Sequence, residues 1–289
     1  MSLPASLRDF VEVTKPKHQF VLFTCWVSMY LASPGTPWDR VFFTLLGTGL
    51  AVASSHVFNQ IFDRHFDAKM ERTKDRPLAS GRLDPETAAL FGAALGLLSL
   101  AVTAWATNAL TVLLVIAGWF VYAVVYSYWL KPRTPWCTLI GGVSGAMPTL
   151  IGWAAATGGL AAPAVSLFLF MTIWQSPHFF ALSLFRAEEY RRAGIPVVIV
   201  RDGTKATLRQ MLGYTVILVA CSLLAYASGV GGPLFLGVAL VLGAAYIAGA
   251  AAARAAGEKG AALWGKRLFH YSYAYMLLIF ATAAVEGLH

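Results

Sequence analysis

The sequence has few charged residues and few cysteines. Only 12% of its 289 residues are Asp, Glu, Lys or Arg, whereas 58% are hydrophobic. Soluble proteins carry about 25% charged residues, so a soluble fold is excluded because its surface would remain largely apolar. The same hydrophobicity excludes intrinsic disorder. The three isolated cysteines exclude a disulfide framework. A multi-pass membrane protein remains.

Long stretches without Asp, Glu, Lys or Arg mark the predicted membrane spans. A spanning helix needs about 20 mainly apolar residues, and a charge at its centre costs about 2.5–3.5 kcal/mol on insertion scales. We therefore predict an all-α membrane protein with one membrane domain, residues 1–289. Its nine predicted spans lie at about 18–36, 41–62, 88–106, 109–130, 137–157, 164–185, 210–228, 233–253 and 268–286.

The basic residues predict the orientation of these spans. Twenty-one of the 22 Lys and Arg residues fall on one side, and only Arg40 falls on the other. The positive-inside rule places that basic side in the cytoplasm. The N-terminus and the loops 63–87 and 186–209 are then cytoplasmic, and the C-terminus is outside. This topology accounts for the net charge of +8, so we expect the lipid bilayer, and no nucleic acid, as a partner.

A row of polar residues lies at the end of the second predicted span. Asn59, Asp63 and Asp67 follow one another at intervals of four, so they drift by only about 80° around a helix and share one face. A basic stretch containing Arg72, Lys74 and Arg76 follows directly in the sequence.

Carboxylates beside basic groups suit one class of ligand. Mg²⁺ takes oxygen ligands from one or two carboxylates and completes its shell with phosphate oxygens and water, while Arg and Lys bind the remaining phosphate oxygens. We therefore expect Asp63 and Asp67 to bind Mg²⁺ with a diphosphate. The alternative is a salt-bridged helix end followed by an ordinary cytoplasmic loop.

A second polar group lies four helices later, which places it on the same side of the membrane. Gln175 and His178 stand within a predicted span on either side of Pro177. Such a histidine is either a helix-packing residue or a member of the site, as a metal or haem-iron ligand, a propionate contact or a proton carrier. The two loops are expected to face each other across one cavity.

Aromatic and basic residues end the fourth predicted span. Tyr126 and Tyr128 either belong to an interfacial aromatic belt or present their faces to a carbocation. Lys131 and Arg133 either snorkel to the membrane surface or hold a leaving phosphate. The glycines that follow, at 141–145, allow close helix packing or leave room for a flat substrate.

These segments together resemble a known family. The matching segments are Asn59 to Asp67, Glu71 to Leu78, Lys131 to Pro135, Gly141 to Trp153, Trp174-Gln-x-Pro-His-Phe179 and Tyr190 to Pro196. They are similar to the haem O synthases (protohaem IX farnesyltransferases), a branch of the UbiA-type intramembrane prenyltransferases. The resemblance runs from about residue 13 to the last predicted helix.

The resemblance implies a nine-helix bundle around a lipid-open cavity, in a bacterial inner membrane. It implies that the farnesyl group of farnesyl diphosphate is transferred to a vinyl group of haem B. The product would be haem O, the precursor of haem A, so haem A synthase is a further expected partner. The alternatives are a prenyltransferase for an aromatic quinone precursor and a non-catalytic haem-binding or transport protein.

The resemblance also implies roles for the residues singled out above. Mg²⁺ lies at Asp63 and Asp67, supported by Asn59, and the tyrosines face the allylic cation. The superfamily usually carries a second aspartate-rich motif where this chain has Gln175 and His178. This departure counts against a second Mg²⁺ site. Separately, His178 is expected to position haem B. The expected diphosphate contacts are Arg72, Lys74, Arg76, Lys131 and Arg133.

Overall fold

The computed structural model describes residues 6–288, and these residues are almost entirely helical. A single isolated bridge pairs Val230 with Leu288. The helices are α1 (Leu7–Val13), a 3₁₀ helix (Pro16–Phe20), α2 (Val21–Ala32), α3 (Trp38–Asp67), α4 (Pro85–Ala106), α5 (Ala109–Phe120) continuing as a π-helix (Val121–Leu130), α6 (Cys137–Thr157), α7 (Ala162–Phe185), α8 (Ala187–Ala193), α9 (Val198–Arg201), α10 (Gly203–Ala227) and α11 (Pro233–Glu286).

Seven helices in this part of the chain are long and apolar enough to cross a membrane. They confirm the all-α, multi-pass prediction, and the count of nine stays a prediction. The first predicted span corresponds to the 3₁₀ helix and α2, whose 12 residues are short for a span. The last two predicted spans lie within α11, which is interrupted at Gly257, where φ is 60° and ψ is −148°.

Small residues allow α3 and α4 to pack closely. Ser99 Oγ donates to the carbonyl of Gly47 at 2.6 Å, and Ser54 Oγ donates to the carbonyl of Gly92 at 2.7 Å. A Cβ atom at Gly47 would lie 2.4 Å from Thr103 Oγ1. Hydroxyl-to-carbonyl bonds between closely approaching backbones are typical of helices in lipid, where apolar burial drives little association.

The largest apolar core lies between α2, α6, α7, α10 and α11. Phe170, Phe235, Tyr275 and Phe280 are fully buried in it. This core holds the helices of the C-terminal half of the bundle together. The polar residues of α3 face the other half, where α3, α5, its π-helical continuation and α6 meet.

Candidate active site

The polar row on α3 is buried within the protein. Helix α3 continues five residues past the predicted end of its span, to Asp67, so all three polar residues are helical. Asn59, Asp63 and Asp67 expose only 2%, 1% and 4% of their surfaces. Asn59 Nδ2 donates to Asp63 Oδ2 at 2.9 Å. Buried carboxylates require compensating charges or hydrogen bonds, and three segments of the chain supply them.

The first compensating group comes from the end of the π-helix. Lys131 Nζ lies 2.5 Å from Asp63 Oδ2, and Ser127 Oγ accepts a hydrogen bond from Asn59 Nδ2 at 2.9 Å. The wide turn of the π-helix sets this register, since the Lys131 amide donates to the carbonyl of Tyr126, five residues back. Burial works to lower the pKa of Lys131, but the carboxylates of Asp63 and Asp67 outweigh it and raise that pKa.

The second group comes from the loop after α3. Arg76 Nη1 lies 2.7 Å from Asp67 Oδ2. The loop folds back onto the helix end because Thr73 Oγ1 donates to the backbone carbonyl of Asp67 at 3.0 Å. The loop therefore places Arg76 beside the second carboxylate, and its contact with a diphosphate stays a prediction.

The third group, Lys15, was not predicted from the sequence. Its Nζ donates to Asn59 Oδ1 at 2.5 Å. Its backbone lies in the left-handed region, with φ at 53° and ψ at 62°, which is unusual for a residue with a side chain. Burial, helped by the charge of Arg76, lowers the pKa of Lys15 to about 7. The segment is held in place by Gln60 Nε2, which donates to the carbonyl of Val13 at 2.8 Å.

The loops 63–87 and 186–209 meet beside this network. Met70 from the first loop packs against Ala193 and Ile195 from the second, and Tyr190 contacts the same cluster. Burial raises the pKa of Tyr190, while the positive charges of Arg72 and Lys131 act to lower it. Tyr190 was not predicted as a site residue. It lies close enough to Arg72 and Lys131 for their charges to act on its hydroxyl.

Three predicted site residues have their contacts elsewhere. Lys74 Nζ pairs with exposed Glu71 at 2.5 Å. Arg133 Nη1 donates to the carbonyl of Trp129 at 2.7 Å and so binds the end of the π-helix. Tyr128 is 58% exposed and packs on Phe62. None of these contacts involves the carboxylates, so the structure does not bring these three residues to the polar row.

The glycines of α6 accommodate side chains from both neighbours. A Cβ atom at Gly141 would lie 2.5 Å from the ring of Tyr126, and one at Gly145 would lie 2.4 Å from Gln175 Oε1. Gln175 Nε2 donates to the carbonyl of Gly142 at 2.8 Å. Close packing thus accounts for these glycines, and Tyr126 is held on the inner side of the π-helix.

His178 lies in an aromatic enclosure on α7. Its ring stacks on Trp174 and Phe269, with centroids 4.8 and 4.5 Å away. Its Nδ1 shares a hydrogen bond of 2.7 Å with Ser272 Oγ on α11. These contacts fix the ring orientation and leave Nε2 for any further partner.

A narrow cavity of about 60 Å³ lies between α3, α5, its π-helical continuation and α6. Tyr122, Gly145 and His56 line it, together with mainly apolar side chains. His56 lies one turn before Asn59 on α3, so the cavity extends along this helix toward the membrane interior.

The carboxylates fit a divalent metal such as Mg²⁺. Asp63 Oδ1 is buried and has no hydrogen-bond partner within residues 6–288, and a bound cation would satisfy this oxygen. Over the same residues, no three His, Cys, Asp or Glu side chains converge. A metal ion here would thus take two carboxylates and complete its shell with ligand oxygens and water, as Mg²⁺ commonly does. Three basic groups contact the polar row and supply positive charge for an anion: Lys15, Arg76 and Lys131.

Comparison with known proteins agrees with this geometry. The chain is 43% identical over 284 residues to protoheme IX farnesyltransferase 1 of Pseudomonas putida strain GB-1, covering 98% of this chain and 95% of that protein. Its fold is similar to that of a digeranylgeranylglyceryl phosphate synthase, with a TM-score of 0.80 at 18% identity over 97% and 98% of the two chains.

A UbiA homologue from Archaeoglobus fulgidus, solved with GPP and Mg²⁺, has a similar fold, with a TM-score of 0.65 at 17% identity over 95% and 99% of the two chains. The model of the UbiA prenyltransferase family matches residues 21–282. This match includes the whole polar row and the loops 63–87 and 186–209. The chain therefore belongs to the UbiA prenyltransferase family.

Proposed function

We propose that this protein transfers the farnesyl group of farnesyl diphosphate to a vinyl group of haem B. The observation that carries the proposal is the buried row Asn59, Asp63 and Asp67 facing Lys131, Arg76 and Lys15 above an apolar cavity. The relatives named protoheme IX farnesyltransferase indicate the acceptor and the prenyl donor.

The carboxylates of the row and the basic side chains beside it would bind different parts of a complex of Mg²⁺ and diphosphate. Asp63 and Asp67 would hold Mg²⁺, with the unpaired Oδ1 of Asp63 as the first ligand. When bound, Mg²⁺ supplies positive charge that stabilises a departing diphosphate. Lys131 and Arg76 now neutralise the carboxylates, and we expect them to contact diphosphate oxygens once a metal ion takes over that role.

The reaction itself requires charge separation. The bond between C1 of the farnesyl group and the diphosphate oxygen breaks, and the diphosphate leaves with the electron pair. A vinyl carbon of haem B then forms the new carbon–carbon bond, and the resulting cation takes the oxygen of a water molecule, which releases its proton. Basic side chains fixed around the leaving group stabilise it most as the bond breaks.

Tyr126 would face the allylic cation, and the packing of its ring against Gly141 of α6 supports this role. Negative ring faces stabilise cations. Tyr128, which is exposed, is less favourably placed for this role. Gln175 and His178 are assigned to the haem side, where His178 Nε2 is available for a propionate or a proton. Arg72, Lys74 and Arg133 remain proposed diphosphate contacts that would require their side chains to move.

The proposal also includes location. We propose that the protein lies in a bacterial inner membrane, with its N-terminus and the site loops in the cytoplasm, where farnesyl diphosphate is water-accessible. The one-sided distribution of Lys and Arg supports this orientation. The product, haem O, would pass to an enzyme that oxidises it further, such as haem A synthase.

A reconstituted reaction tests the proposal. The purified protein is mixed with haem B, farnesyl diphosphate and Mg²⁺, and the products are analysed by mass, with geranyl and geranylgeranyl diphosphate as competitors. We expect a farnesylated, hydroxylated haem and free diphosphate. Prenylation of an aromatic quinone precursor but not haem B would show a different acceptor. Haem binding without release of diphosphate would show a non-catalytic haem protein.

A further inference from the structure

The hydroxyl of Ser272 determines which ring nitrogen of His178 carries the hydrogen atom. Ser272 is fully buried on α11, and its Oγ donates to the backbone carbonyl of Phe269 at 2.6 Å. A serine hydroxyl has a single hydrogen atom to donate, so Ser272 Oγ accepts in its 2.7 Å hydrogen bond with His178 Nδ1. Nδ1 therefore carries the hydrogen atom, and Nε2 of the neutral ring keeps its lone pair.

The surroundings of His178 hold its ring in place and leave Nε2 without a protein partner. No described residue forms a hydrogen bond with Nε2, and this atom is not fully enclosed, since the residue remains 7% exposed. Trp174, which stacks on the ring, donates from Nε1 to the backbone carbonyl of Ser272 at 2.7 Å. One residue of α11 thus positions both rings, and the free acceptor nitrogen has a fixed orientation.

Contacts of the histidine ring lead to the end of the bundle that holds the polar row. The ring of Tyr273 lies edge-on to His178 at a centroid distance of 4.7 Å, and it contacts Phe20 at 5.8 Å. Phe20 ends the 3₁₀ helix that begins directly after Lys15, and Lys15 contacts Asn59 of the row. His178 and the carboxylates therefore belong to the same end of the bundle.

The position of the hydrogen atom decides between the two roles left open for Nε2. A carboxylate such as a propionate only accepts hydrogen bonds, so it does not pair with a nitrogen that also accepts. A water molecule donates, and it can give up a proton to this nitrogen. The rings of Trp174 and Phe269, stacked at 4.8 and 4.5 Å, would then stabilise the charged imidazole, because aromatic faces attract cations.

We propose that Ser272 is a positioning residue that keeps Nε2 of His178 unprotonated, so that this nitrogen takes the proton of the water molecule consumed in the reaction. The inference rests on the proposed function, which supplies the water-consuming step. As the water oxygen bonds to the cationic carbon of the former vinyl group, one O–H bond breaks and its hydrogen moves as a proton to Nε2. The resulting imidazolium keeps its bond to Ser272 and returns the proton to solvent before the next turnover.

Nitrogen NMR of the full-length protein in detergent tests the tautomer without turnover. The histidine rings are labelled with ¹⁵N, and the signals of His178 are identified by their loss in His178→Gln. We expect a protonated Nδ1 and an unprotonated Nε2 in the wild type. This pattern should be lost in Ser272→Ala, because Nδ1 then has no acceptor for its hydrogen atom. The matched control Ser222→Ala removes a buried hydroxyl that bonds to Tyr275, and it should keep the pattern.

Rates of haem farnesylation test the role of the nitrogen in the reaction. We expect His178→Gln to lower the rate by about 10²-fold or more, as the loss of a general base does. Ser272→Ala should lower it by about three- to tenfold, which corresponds to the loss of one hydrogen bond, and should leave the Kd for farnesyl diphosphate unchanged. Ser222→Ala should transfer farnesyl at the wild-type rate.

A wild-type His178 with its hydrogen atom on Nε2 would overturn the inference, as would an unchanged tautomer in Ser272→Ala. Undiminished transfer by folded His178→Gln would also overturn it. Failure of the proposed function gives a different result, because the tautomer is measured without substrates. A wild type with the predicted tautomer that does not prenylate haem B refutes the proposed function and the water step, whereas prenylation of haem B with the other tautomer refutes this inference only.

Discussion

Lys131 Nζ contacts Asp63 Oδ2 at 2.5 Å, although 68 residues separate the two in the sequence. The contact joins the end of the π-helix to the polar row of α3. It neutralises a buried carboxylate, and it holds a lysine beside the carboxylates that we propose bind Mg²⁺ with a diphosphate. The basic side of the site is thus assembled before the substrate arrives.

Replacing Lys131 should impair catalysis more than binding of the acceptor. We expect Lys131→Met to lower the rate of farnesyl transfer by about 10²–10³-fold, the loss typical when one group that stabilises developing negative charge is removed. Steady-state product formation measures it. Lys259→Met is the matched comparison, because Lys259 is an exposed lysine of α11 to which no role in the site is assigned. An equal loss in both variants would contradict the assignment of Lys131 to the leaving group.

Lys15 should give the ligand-free protein a distinctive pH dependence. Burial lowers its pKa to about 7, whereas an unfolded chain keeps the ordinary value near 10.4. Between these values the unfolded state binds more protons, so this lysine destabilises the fold at low pH and its cost falls as pH rises. The thermal midpoint of the wild type, relative to Lys15→Met, should therefore increase from pH 6 to pH 9.

The comparison is made in detergent without Mg²⁺ or substrate. Lys17→Met, which removes a neighbouring exposed lysine, should show the same pH dependence as the wild type. A constant difference between the wild type and Lys15→Met across this range would show that Lys15 keeps an ordinary pKa.

Close approach of α2 and α6 should make Gly152 intolerant of a side chain. A Cβ atom there would lie 2.1 Å from the carbonyl oxygen of Cys25, and backbone atoms cannot move without separating the helices. We expect Gly152→Ala to destabilise the protein by about 1–3 kcal/mol, as overpacking does. Gly213→Ala is the control, since no atom lies within 4 Å of its added methyl group. Thermal unfolding in detergent distinguishes the two, and equal midpoints would contradict the packing.

Sequence patterns predicted the elements of this site better than their contacts. The interval of four residues placed Asn59, Asp63 and Asp67 on one helix face, because helical periodicity is local. Lys15 carried no local signal, since its neighbours in the sequence do not indicate a contact with a residue 44 positions away. Only its place on the same predicted side of the membrane as Asp63 pointed to a contact.

The two tyrosines show a second limit of sequence reasoning. Residues two apart on a helix point to nearly opposite sides, so Tyr126 and Tyr128 have different surroundings. Tyr126 is half-buried against Gly141, and Tyr128 is exposed. Which of the two sides faces the protein depends on the neighbouring helices, and a local pattern does not contain that information.

The most direct test of the account measures haem farnesylation by the wild type and Asp63→Ala with and without Mg²⁺. Both proteins are first shown to be folded and monodisperse in detergent. The account predicts Mg²⁺-dependent formation of haem O by the wild type, and at least about a 10²-fold lower rate for Asp63→Ala. Undiminished transfer by folded Asp63→Ala would contradict the central claim that the polar row of α3 activates the diphosphate.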